Sequence, residues 1–234
     1  RDSGAQGTQG RGKLASEVAA LLDEGALDRL GPSLKDLAPP DKPLAPQDPH
    51  LDLIVSAEAA LYRYQDASPA RLARIEPFLS RDSGQPARLL AGLTVASRPE
   101  RLSSQETLVN LAPAHAQGAE YHALLATIHE ERGDSQAAHA SWERSFKAGP
   151  NWLPHRYLQC AFEARQHNRA AVAQITEHMA RVAPQSAWTQ LAQRHFGDTT
   201  TSSSTTANPV AQYLAELAPV LRGLAGRDLT AARQ

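Results

Sequence analysis

Several groups of residues in this 234-residue chain have types and spacings that could do chemistry. GTQGRGKL, residues 7–14, nearly spells a phosphate-binding loop, with Gly7, Gly12 and Lys13 in register. Leu14 stands where the magnesium-binding hydroxyl is required, and only six residues precede Gly7, too few for the buried strand such a loop leaves. His122 and His129 could share a helix face near Glu130, yet zinc-binding pairs on helices sit three or four residues apart, and there is no HExxH. Cys160 is the single cysteine, so an intrachain disulfide or a thiolate metal cluster is excluded and the redox compartment stays open. Its small neighbours read as a structural thiol. No GxSxG turn offers a serine nucleophile. The acidic EERGD run, Glu130 to Asp134, reads as a solvated turn, and Arg132 and Arg144 could meet a carboxylate only if the fold aims them. The chain is therefore expected to be no enzyme and to hold no cofactor and no metal.

Composition bounds the partners. Twenty-four basic and 25 acidic residues leave a net charge of -1, which recommends neither nucleic acid nor an anionic membrane. No run of about twenty apolar residues predicts a membrane span. Arginine outnumbers lysine twenty to four and alanine is abundant, the usage of a GC-rich bacterial genome; the compartment, cytoplasm or periplasm, stays open. A chain beginning at Arg1 is expected to be a processed product or a piece of a longer one. Aromatic residues make up 5%, so Ala-rich helices packed closely are the natural core.

The elements that must position any site follow from periodicity. Residues 1–13, with glycines and no apolar pattern, predict a flexible tail. Residues 14–38 predict short helices: one from Leu14 that stops at Gly25, a second near Ala26 to Leu30, and a turn around Ser33 to Leu37. The prolines of 39–50 predict an extended linker. Residues 51–196 carry apolar residues at helical spacing. They predict a first helix through Leu51, Ile54, Val55, Leu61 and Tyr62, a start at Ser68-Pro69, and segments near 86–96, 102–112, 118–132, 135–148, 153–167, 169–183 and 186–195. Residues 197–208 read as a Ser/Thr-rich linker. Residues 209–234 predict an amphipathic helix with Val210, Leu214, Leu217, Val220, Leu221 and Leu224 on one stripe, free to dock on the body, a partner or a second copy.

Alternate helices end on prolines. Pro77, Pro113, Pro150 and Pro184 are 36, 37 and 34 residues apart, the period of stacked helical hairpins. Within Ala119 to Asn151, Leu125-Ala126 is followed by Gly133-Asp134, then Ala138, Trp142, Ser145 and Phe146, then Pro150-Asn151. This order of bulky, small and turn residues resembles the tetratricopeptide repeat family. The unit after it matches at Tyr157, Ala161, Ala173 and Ala180, with Asn168 where glycine is expected and one residue short before Pro184. The resemblance covers roughly residues 51–184, its specific part being the one repeat.

The resemblance implies an all-α superhelix of helical hairpins that binds a peptide or protein segment in the groove lined by the first helix of each pair. Facing that groove would be Glu120, Ala123, Thr127 and Glu130 in one unit and His155, Leu158, Gln159, Phe162 and Arg165 in the next. Glu120, Thr127, Glu130, His155, Gln159, Phe162 and Arg165 are the candidate partner-binding residues. Ala123 and Thr127 occupy positions where the family's carboxylate-clamp subtype has Lys and Asn, which argues against that subtype's ligands. His122 and His129 fall on packing positions of the repeat. The expected function is a non-enzymatic interaction scaffold or adaptor in a bacterial multiprotein assembly. The alternative is an accessory or assembly subunit of an envelope system, such as polysaccharide export, a pilus or secretion machinery.

Overall fold

In a computed structural model of the chain, the described residues are 3–81, 84–111 and 118–197. The expected C-terminal helix over 209–234, the Ser/Thr-rich linker beyond Gly197, and Pro113 lie outside them. Among the described residues the regular structure is entirely helical: α1 (Ser3–Glu24), α2 (Leu27–Leu37), α3 (Leu51–Tyr64), α4 (Pro69–Ile75), α5 (Pro86–Val95), α6 (Arg98–Ser103), α7 (Gln105–Val109), α8 (Ala119–Glu131), α9 (Ser135–Ala148), α10 (Leu153–Arg165), α11 (Arg169–Val182) and α12 (Ala187–Phe196), with a short 3-10 turn at Glu76–Phe78. The chain divides into two compact units, residues 1–156 and 157–234.

The first unit is organised on α3, most of whose residues are buried, from Leu51 to Tyr64. A helix apolar on nearly every side must be covered on every side. Leu51, Val55 and Ala59 join Ile75 and Ala91 in one core cluster, against which Leu44, Leu72, Phe78 and Leu79 pack. A second cluster joins Leu89 and Leu93 of α5, Leu108 and Leu111, and Tyr121, Leu124, Leu125 and Ile128 of α8. Glu58 is the exception on α3, a carboxylate 4% exposed that is met by Arg71 and Arg74 of α4.

The sequence and the structure differ at three places in the N-terminal part of this unit. The composition predicts a tail over 1–13, but α1 starts at Ser3 and takes GTQGRGKL into a helix, so no strand-to-loop geometry for a phosphate exists there. The burial of Ala15, Val18 and Leu21 drives this helix, and Arg11 ties its earlier turns to Asp48 by an ion pair. The expected helix near Ala26 to Leu30 and the turn expected around Ser33 to Leu37 are one helix, and α2 runs through Pro32 because Leu27, Leu30, Leu34 and Leu37 form one buried stripe. The hydrogen bond lost at a proline is outweighed by that burial. The residues expected as an extended linker, 39–50, fold into turns closed by Lys42 N–H to Pro39 O and Asp48 N–H to Ala45 O, and Arg74 donates to the carbonyls of Ala38 and Pro39 at 2.9 Å each.

The hairpin pattern is more regular, and shorter, than its expected extent over 51–184. Helices α8, α9, α10 and α11 have 13, 14, 13 and 14 residues, and 34 residues separate Ala119 from Leu153 and Ser135 from Arg169. The turns repeat in detail. Gly133 and His167 are both left-handed, at φ 80° and 58°. Asp134 and Asn168 follow at φ -85° and -84°, each side chain accepting from the backbone N–H three residues on. Gly149 and Ala183 end the second helices at φ -150°, ψ 79° and φ -149°, ψ 76°, so no residue is missing before Pro184. Before Ala119 the regularity fails. The segment expected as one helix over 102–112 is split at Ser104, with α6 capped by the Ser97–Glu100 box and α7 reduced to 5 residues.

In the second unit, α11 and α12 are joined by the Thr189 hydroxyl donating to the Met179 carbonyl at 3.3 Å. The Tyr157 ring lies 5.5 Å from Trp188 and 5.7 Å from Phe196, and its hydroxyl pairs with Nδ1 of His195 at 2.8 Å. Cys160 is buried, its sulfur 3.7 Å from the Thr176 hydroxyl, as a packing thiol would be.

Two stability changes follow. Trp142, 1% exposed, should lose about 3–5 kcal/mol on conversion to Ala; an unchanged urea midpoint would show the indole outside any core. His167→Gly should raise stability by roughly 0.5–1 kcal/mol, because the left-handed region penalises a side chain with a Cβ. A lower midpoint for His167→Gly would mean that the imidazole makes contacts worth more than that strain.

Candidate functional site

The functional side chains that the structure gathers most closely lie around one carboxylate. Glu120 stands in the first turn of α8, where the helix dipole favours a negative charge. Three elements reach it. From the last residue of α3, the Tyr64 hydroxyl lies 2.9 and 3.0 Å from the two carboxylate oxygens. From α5, the Thr94 hydroxyl lies 2.8 Å from Oε1 and equally far from the Leu90 carbonyl, so its one proton is shared between them. From the first turn of α10, Nε2 of His155 donates to Oε2 at 2.6 Å. Arg63, beside Tyr64 on α3, donates to the Thr94 carbonyl at 2.9 Å and supplies a nearby positive charge.

Aromatic rings wall the far side. Trp152 stacks on His155 at 4.4 Å with the planes 9° apart, and Tyr64 meets both rings edge-on at 5.9 and 5.4 Å. The indole N–H of Trp152 donates to the Asp23 carbonyl at 3.1 Å. Its ring lies against Gly25 in the α1–α2 turn and Gly149 after α9. A Cβ at Gly25 would stand 2.6 Å from the indole, and one at Gly149 would stand 2.8 Å from it and 2.7 Å from Ala119. Gly25 is also left-handed, at φ 70°. Glycine is required there on both counts.

The electrostatics follow from this enclosure. Burial alone would raise the Glu120 carboxyl, but the hydrogen bond and charge of His155, then Arg63 and Thr94, outweigh it and hold the group at about 2. Burial lowers His155 below its ordinary value of 6.5; Glu120 pulls the other way and is outweighed, with Arg156 and Arg63 adding to the lowering. At neutral pH the pair is thus a carboxylate and a neutral imidazole protonated on Nε2. Nδ1 is then an acceptor, buried and with no partner among the described residues. Burial and then the Glu120 charge push the Tyr64 phenol well up, so it acts as a donor.

Two of the candidate partner-binding residues, Glu120 and His155, are thus brought together, but they engage each other and not an open groove: His155 is 0% exposed and the Glu120 side chain 22%. Gln159 and Phe162 are buried too, at 8% and 1%, so neither presents an open face in this chain. Thr127 donates to its own helix at the Ala123 carbonyl, 2.9 Å away; Glu130 is half-buried and Arg165 exposed. Ala123 is buried and Leu158 half-buried. His122 and His129 are not assembled with other ligands: among the described residues no group of three or more His, Cys, Asp or Glu could hold a metal ion. Among those residues, too, no helix is long and apolar enough to cross a membrane. Sequence reasoning missed Tyr64, Thr94, Arg63 and Trp152. The readable signal was the pair of glycines flanking Trp152's neighbourhood, Gly25 and Gly149, at ends of helices.

No protein-family model, curated protein or solved structure matches the chain.

What this arrangement can do is lock helix ends together. Glu120→Ala should leave the Tyr64 and His155 donors without their acceptor, with Thr94 falling back on the Leu90 carbonyl, and destabilise the fold by about 2–4 kcal/mol in denaturant unfolding, whereas an equal loss for an exposed control such as Glu143→Ala would deny the network any special role. The pH dependence has two stages. His155 has its folded value below the unfolded one, so its contribution is present above 6.5 and is lost as pH falls through the lowered folded value. Glu120 contributes above its ordinary 4.5, and that contribution is lost as pH falls towards about 2. In His155→Gln, the difference in unfolding free energy from the parent should shrink on acidification below 6.5; a difference independent of pH would place the imidazole in water.

Proposed function

We propose that the chain is a non-enzymatic interaction scaffold, a tetratricopeptide-like solenoid segment that binds protein or peptide partners. The observation that carries this reading is the repetition of backbone geometry at 34-residue spacing, helix lengths, left-handed turn, side-chain cap and terminal dihedrals together, in α8–α9 and again in α10–α11. Hairpins of equal length with the same turn are units that bury their apolar stripes by stacking, and such stacks present extended binding faces. The Glu120–His155 pair fits this reading as an internal brace. It narrows the partner-facing set to Thr127 and Glu130 on α8 and Arg165 on α10.

A photo-crosslinking amino acid placed singly at Thr127, Glu130 or Arg165 of the full chain, in cells of the source organism, should give adducts with one discrete protein partner. The same residue at Arg81, exposed and on a loop in the first unit, should give none. Adducts equally abundant at all four positions, or none at any, would count against a scaffold that binds through these helices.

A further inference from the structure

Helices α2, α3 and α4 enclose a cleft of about 160 Å³. It stands apart from the residues that carry the scaffold reading and does not depend on it. Its charged lining is Lys35, Arg71 and Arg74 against Glu58 and Asp66, over Leu34. That is three positive charges and two negative, an excess of one.

The donors in this cleft divide into engaged and unengaged. Glu58 is 4% exposed and uses one carboxylate oxygen on Nη1 of Arg71 and the other on Nη1 of Arg74, at 2.6 Å for Arg74. Arg74 spends its Nη2 on the carbonyls of Ala38 and Pro39. Arg71 has only Nη1 engaged among the described residues, and its Nε is buried without an acceptor there. Nε and Nη2 form one edge of the guanidinium, the edge that takes a carboxylate through two parallel hydrogen bonds. Lys35 is exposed and makes no ion pair among the described residues.

We propose that this cleft binds a carboxylate, received by the unengaged Nε–Nη2 edge of Arg71 and by the Lys35 ammonium. A monovalent anion balances the single excess charge, whereas a doubly charged phosphate overshoots it. Leaving a buried Nε–H without an acceptor is unfavourable, and a carboxylate seated on that edge removes the deficit. Seating it requires the Arg71 side chain, 20% exposed, to turn that edge to the cleft while Nη1 stays on Glu58. Asp66 is the opposing charge on the same lining, so it weakens the site and supplies a handle on it.

The test is a titration of the full chain with sodium acetate against sodium chloride at matched ionic strength, read from the arginine Nε–H signals in NMR spectra, with Arg71 assigned by the signal lost in Arg71→Lys. Acetate should give a saturable shift at millimolar concentration where chloride gives none; Lys35→Ala should weaken it about threefold or more, and Asp66→Asn should tighten it. A second arm uses acetyl-diglycine. Tighter binding than acetate assigns the site to a peptide C-terminus, and equal affinity assigns it to free small acids. An acetate response that does not saturate, or that Lys35→Ala and Asp66→Asn both leave unchanged, overturns the proposal. Should Arg71→Lys fail to fold, those two variants still decide, because neither side chain has an ion-pair partner among the described residues to lose.

Discussion

A carboxylate removed from most of its water has to be met by donors, and each donor that meets Glu120 sits on a different helix. Tyr64 ends α3, Thr94 lies near the end of α5, and His155 opens α10. Satisfying this one group therefore fixes three helix termini against the start of α8. Trp152 extends the same constraint to the α1–α2 turn, since its stacking on His155 and its bond to the Asp23 carbonyl leave room only for glycine at residue 25. The first unit is thus held at its centre by a polar junction, with the two leucine-rich clusters packed around it.

The two regular hairpins reach the same geometry with different side chains. Gly133-Asp134 is the low-strain solution: glycine takes the left-handed turn and aspartate caps the next helix. His167-Asn168 does the same with an imidazole in the left-handed region and an amide as the cap, and Asn168 also donates to Glu163 at 2.8 Å. The turn is set by helix length and packing strongly enough that a less suited residue is tolerated in it.

Functional consequences follow from where polar groups are spent. The first helix of a hairpin can offer its side chains to a partner or to its own neighbours. Here Glu120 and His155 are given to the fold, and Gln159 and Phe162 are buried. Among the unmatched polar groups of the first unit is Nε of Arg71 at the α2–α4 cleft, where Glu58 occupies only part of the available guanidinium surface.

Helix content, the bounds of α9 at Ser135–Ala148, the cap-and-proline start at Ser68-Pro69 and the 34-residue spacing of the last two hairpins were determined by the sequence alone, because each rests on residues within one or two turns of each other. The family resemblance, not the local pattern, offered Glu120 and His155 as groove-facing residues; it did not pair them, and Tyr64, Thr94 and Trp152 went unremarked. Those contacts join residues 26 to 129 positions apart, and nothing in a local pattern encodes them. Tertiary structure also decided the N-terminal half: burial of Val18 and Leu21 extended α1 towards Ser3, the leucine stripe carried α2 through Pro32, and Arg74 held residues 38 and 39 in place. The reason is the same in each case. Propensity acts residue by residue and is worth tenths of a kcal/mol, whereas burial and the satisfaction of buried charge act between distant segments and are worth several.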